Sequence, residues 1–85
     1  MTPAQRIEHG NRFPYDATDE WWNGDAKNPP TPRDAAHSAA RGVIAELEDR
    51  RGIKNGFSGV DEEIRAEIVS ALAEIIRVAM TGDER

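Results

Sequence analysis

Apolar residues recur at helical spacing in two stretches of the chain. In residues 33–51, Ala36, Ala40, Val43 and Leu47 fall at i, i+4, i+7 and i+11, and Ala39 and Ile44 widen that face. Thr31 is placed to cap this helix, Pro32 suits its first position, and Asp34 follows Thr31 by three residues. Arg50, Arg51 and Gly52 close it with cations at the negative end of the helix dipole and a residue that tolerates positive φ. In residues 61–80, Asp61, Glu62 and Glu63 load the first turn with negative charge. Ile64, Ile68, Leu72, Ile75 and Ala79 then form one stripe, and Val69, Ile76 and Met80 form a second beside it. Thr81-Gly82 ends this helix and Asp83 to Arg85 reads as a frayed tail. Between the helices, Asn55-Gly56 marks a turn in a connector whose Ile53, Phe57 and Val60 point inward.

Residues 1–32 read differently. Pro3, Pro14, Pro29, Pro30 and, at the border, Pro32 accompany Gly10, Gly24 and several asparagines, a composition that cannot hold a long helix. Yet Phe13, Tyr15, Trp21 and Trp22 all sit here, and disordered tails are poor in aromatics. The segment is expected to be a mostly irregular arm, with one turn of helix between Ala17 and Asn23, docked through its aromatic rings. The chain thus divides into an N-terminal arm, 1–32, and a helical-hairpin domain, 33–85. The fold class is all-α: an antiparallel hairpin with an aromatic arm, assembled into an oligomeric bundle.

Size and surface lead to the oligomer. A chain of 85 residues supports one small core, and a two-helix unit is below the size at which burial offsets about 1.5 kcal/mol of ordering entropy per residue. The two stripes on the second helix exceed what one partner helix covers; the aromatic arm or a second copy would cover the rest, and two hairpins in a four-helix bundle are the simplest solution. Gly42, about 1 kcal/mol worse than Ala in a helix interior, signals the close approach of another backbone, a ring or a ligand.

Charge and chemistry narrow the function classes. Asp plus Glu total 16 against 11 Lys plus Arg, a net charge of −5, which argues against a protein that coats duplex nucleic acid. Without cysteine there is no disulfide framework, thiol nucleophile or cysteine metal cluster. No apolar run is long enough to span a membrane, and no signal-peptide core follows Met1, so a soluble cytoplasmic protein is expected. No Walker, Rossmann or nucleophile-elbow motif occurs. His37 and Ser38 are sequence neighbours and diverge on a helix, so they make no catalytic pair. Glu46, Asp49, Glu63 and Glu67 offer at most a loose carboxylate pattern for Mg²⁺. The expectation is therefore a non-enzyme with no cofactor and no metal.

Two groups of residues remain. Arg50, Arg51, Lys54 and Asn55 crowd the end of the first helix and suit phosphate, although they also serve as dipole caps. Tyr15, Trp21 and Trp22 offer planar faces for a base, although they also suit the uncovered groove of the hairpin.

Residues Ala39 to Lys54, Asp61 to Val69 and Leu72 to Arg77 together resemble a group of small, uncharacterised phage and prophage proteins, over about half the chain and without the N-terminal arm. In architecture alone, the chain is similar to phage sponge proteins that disarm CBASS or Thoeris immunity. Those are helical hairpins that oligomerise and sequester cyclic nucleotide signals without turnover. The similarity carries over no binding residue, but small size, no catalytic set, expected oligomerisation, phosphate-suited arginines and stackable aromatics together fit an anti-defence protein that sequesters a phosphorylated nucleotide signal. Tyr15, Trp21 and Trp22 would lie on the base, and Arg50, Arg51, Lys54 and Asn55 at the phosphate. The alternatives are an interaction module that blocks a host enzyme, and a small Mg²⁺-dependent nucleotide hydrolase.

Overall fold

The computed structural model describes residues 1–81. Five helices follow one another: α1 Pro3–Arg12, α2 Asp19–Asn23, α3 Ala35–Glu48, α4 Lys54–Phe57 and α5 Glu62–Thr81. No strand occurs among the described residues, so the protein is all-α. The expected stop at Gly82 and the tail 83–85 lie outside the described residues. No described helix is long and apolar enough to cross a membrane.

The N-terminal segment corrects the expectation of an irregular arm. Residues 3–12 form a helix, because Thr2 and Gln5 make a reciprocal capping box and Pro3 occupies the first turn, where its missing N–H costs nothing. The Thr2 hydroxyl accepts from the Gln5 N–H at 3.1 Å, and the Gln5 side chain accepts from the Thr2 N–H at 2.8 Å. This helix packs along α3, and α5 packs along α3 as well, so α3 is central.

Glycine sets the α1–α3 crossing. A Cβ on Gly10 would collide with the Arg41 carbonyl oxygen and stand 2.6 Å from its carbonyl carbon. One on Gly42 would come within 2.8 Å of Ile7 Cγ1 and 3.0 Å of Ile7 Cα. The partner anticipated for Gly42 is thus a helix backbone, that of α1.

The start of α3 also moves. Asp34, not Thr31, is the cap, its carboxylate accepting from the His37 N–H at 2.9 Å. The buried face of α3 is Ala36, Ala40, Ile44 and Ala45, with Arg41 among them, while Val43 turns outward beside Ile7. On α5 the core residues are Val69 and Ala73, with Ile68, Leu72 and Ile76 packed against them. Ile64, Ile75 and Met80 stay exposed, so part of each stripe is uncovered within one chain. The Asn55-Gly56 turn is a short helix, α4, and positive φ falls instead at Gly52 and Gly59.

Two arginines fasten the segment between α1 and α2. Arg41, only 2% exposed, donates to Asp16 at 2.9 Å, to the Pro30 carbonyl at 2.7 Å and to Asn11 at 3.2 Å. Arg65 of α5 donates to the carbonyls of Tyr15, Ala17 and Val60 and to the Asp19 carboxylate. His37 Nδ1 accepts from the Arg33 N–H, which leaves the proton on Nε2 to be donated to Asp16 at 2.8 Å. Burial alone would raise the Asp16 carboxyl, but the hydrogen bonds from His37 and Arg41 outweigh it and hold the group below its ordinary value.

Candidate functional site

Where α1, α2, α3 and α4 meet, a cleft of about 340 Å³ opens, lined by Met1, Arg6, His9, Phe13, Trp22, Ala45, Glu48, Asp49 and Lys54. Its ring wall is built locally. Phe13 is the C-cap of α1, its N–H bonded to the His9 carbonyl at 2.9 Å. Thr18 caps α2 through the Trp21 N–H and so aims the tryptophan pair. Trp21 donates its indole N–H to the Lys27 carbonyl at 3.0 Å and stands edge-on to Trp22, centroids 4.9 Å apart. Trp22 in turn lies nearly parallel to Phe13, at 21° and 6.4 Å. His9 leans on Phe13 at 5.2 Å, and the Arg12 guanidinium sits over the Phe13 ring at 4.8 Å. Phe13 and Trp22 remain 40% and 38% exposed, an open aromatic surface rather than a sealed core.

The charges in the cleft are of two kinds. Arg6 is committed: it donates to Asp49 at 2.7 Å and its Nε lies 2.6 Å from Glu46 Oε1, close enough for an ion pair but out of line for a hydrogen bond. That contact holds the Asp49 carboxyl below its ordinary value. Glu48 is uncommitted. Among the described residues it has neither a hydrogen bond nor an ion pair, and it stands in the last turn of α3, at the negative end of the dipole. Burial pushes its carboxyl up, against a smaller opposing pull from His9. Lys54 is exposed, and its ammonium has no ion pair among the described residues.

The structure gathers only Trp22 and Lys54 of the expected site residues into this cleft. Tyr15 is a core residue, 6% exposed, its hydroxyl bonded to the Phe57 carbonyl at 2.9 Å and its ring edge-on to Phe57. It plugs the groove between α3 and α5 and has no free face for a base. Trp21 is half-buried behind Trp22. Arg50 is exposed and paired with Glu46 one helical turn earlier. Arg51 and Asn55 are exposed outside the cleft, the Asn55 carbonyl accepting from Ser58 at 3.1 Å.

Phe13, His9 and Glu48 also line this cleft and were not among the residues expected from the sequence. A usable signal existed for Glu48: an acid in the last helical turn is placed against the dipole and calls for a reason.

No group of three or more His, Asp or Glu side chains able to hold a metal forms among the described residues, and Glu46 and Asp49 are taken up by Arg6. No protein-family model, no curated protein and no solved structure matches this chain.

Proposed function

We propose that this protein binds a small phosphorylated nucleotide in the Trp22 cleft and holds it without turnover. One observation carries the proposal: the near-parallel Phe13–Trp22 pair and the uncommitted Lys54 line the same cavity. A base stacked on an exposed aromatic ring gains about 1–3 kcal/mol. Lys54 supplies a mobile point charge for a phosphate at the rim. The role that fits is sequestration of a nucleotide signal, the anti-defence activity of the phage sponge proteins, with Trp22 and Lys54 replacing the wider set expected from sequence.

The uncovered residues of α5 favour a second proposal, compatible with the first. Ile75 is 64% exposed, in line with Ile64, on the face of α5 turned away from α3. A second copy of the chain covering this stripe gives the helical-hairpin oligomer expected from size.

Native mass spectrometry with a panel of mononucleotides, cyclic di- and trinucleotides and ADP-ribose tests both. The expected result is a defined oligomer carrying an unmodified nucleotide. Retention of no nucleotide overturns the binding proposal and turns attention to a protein target. A purely monomeric species overturns the assembly.

A further inference from the structure

We infer that Glu48 makes this cleft selective for guanine nucleotides, by accepting two hydrogen bonds from the Watson–Crick edge of a base stacked on Trp22. The inference deepens the proposed nucleotide binding and rests on it. An ionised carboxylate only accepts, and it offers two adjacent oxygens. Guanine presents two adjacent donors on that edge, the ring N1–H and the exocyclic N2–H. Adenine presents an acceptor at N1 beside its amino group, and cytosine presents an acceptor at N3. Either sets a lone pair against the carboxylate.

The position of Glu48 gives this match its force. It lines the same cavity as Phe13 and Trp22, at the end of α3, so a base stacked on Trp22 shares that cavity with its carboxylate. Among the described residues no cation forms an ion pair or hydrogen bond with it, and His9 acts on it only through a weaker electrostatic pull. Arg6 is engaged by Asp49 and Glu46, and neither Lys54 nor His9 comes within ion-pair distance. A half-buried carboxylate without donors weighs against the folded state, and donors brought by a ligand remove that weight. Asp49, next in sequence, cannot take the same part, because Arg6 already holds it. Lys54, which lines the same cleft and has no ion pair among the described residues, is available for the phosphate.

Binding of GMP, IMP and AMP, followed by titration calorimetry and by quenching of tryptophan fluorescence, tests the inference. IMP keeps the N1–H of GMP and lacks the 2-amino group. The expected order is GMP, then IMP, then AMP, with GMP about 10-fold or more tighter than AMP. Glu48→Gln, which preserves shape and replaces one acceptor by a donor, brings GMP down to the affinity of AMP. Trp22→Ala abolishes binding of all three. Circular dichroism melts establish that each variant is folded. Equal affinity of the native protein for GMP and AMP overturns the selectivity while leaving nucleotide binding intact, and so does a GMP preference that survives Glu48→Gln. Binding of none of the three overturns the selectivity, and the nucleotide proposal falls with it when the cyclic nucleotides and ADP-ribose are not retained either.

Discussion

The joint between α1 and α3 and the cleft at the end of α3 are built from the same kinds of residue and end in opposite states. At the joint, Arg41 is buried with Asp16, Asn11 and a carbonyl complete the partners of Arg41, and His37 bonds Asp16. Glycines on both helices let the backbones touch there. Every charge at the joint is answered from within the chain. In the cleft, Glu48 has no answering donor and Lys54 no answering acid among the described residues, and two aromatic rings stay open to solvent. Charge that is satisfied internally holds a fold together. Charge left half-buried and unsatisfied costs stability, and its retention points toward a ligand.

The largest expected effect breaks the joint. Arg41→Ala leaves Asp16 and its neighbours without their cation, and the loss expected in a chemical denaturation curve is about 3–5 kcal/mol. The same joint carries an acid signature. The folded Asp16 carboxyl lies below its unfolded value, so its contribution is complete above the unfolded value and fades as pH falls through the folded one. Stability measured in steps downward from neutral pH is expected to drop below about pH 4, and to drop less in Asp16→Asn.

Gly10→Ala comes next. An Ala in a helix interior ordinarily gains about 1 kcal/mol over Gly. Here the added methyl meets the backbone of α3, so a net loss of about 1–3 kcal/mol is expected in the same assay. Gly42→Ala is expected to cost less, because part of its obstruction is the movable Ile7 side chain.

Tyr15→Phe sharpens the division between structure and site. It removes the bond to the Phe57 carbonyl and is expected to cost about 1 kcal/mol in a thermal melt. Because Tyr15 lies outside the cleft, nucleotide affinity is expected to stay unchanged.

The smallest effect has the opposite sign. The folded Glu48 carboxyl lies above its unfolded value, so the ionised group weighs against folding at neutral pH, and that weight is gone below the unfolded value. Half-exposure to solvent limits the cost, and Glu48→Gln is expected to stabilise the ligand-free protein by about 0.5 kcal/mol or less near neutrality. The gain should vanish below about pH 4, as guanidinium curves at the two pH values would show.

Much of this was legible in the sequence, unevenly. The periodicity of residues 33–51 and 61–80 announces α3 and α5, and Gly42 announces a close approach. The helix α1 was hidden by a composition argument: Pro3 and Gly10 count as breakers when tallied, yet Pro3 occupies the one turn where proline is welcome and Gly10 sits where a backbone touches. Position outweighed composition. The face of α3 turned because α1 covers Gly42, which carries Val43 outward and Arg41 inward. Trp22 and Lys54 could be named from chemistry alone. Glu48 looks like any solvated acid until α1 and α2 close around it, and Tyr15 looks as available as Trp22 until α5 packs over it.

The central claim, that the open region and not the satisfied one receives a nucleotide, is tested most directly by mapping amide and indole chemical-shift changes as GMP is added to the ¹⁵N-labelled protein. Changes are expected at His9, Phe13, Trp22, Glu48 and Lys54, with the joint at Asn11, Asp16 and Arg41 silent. Changes centred on Arg50, Arg51 and Asn55 instead, or no changes at saturating GMP, would contradict it.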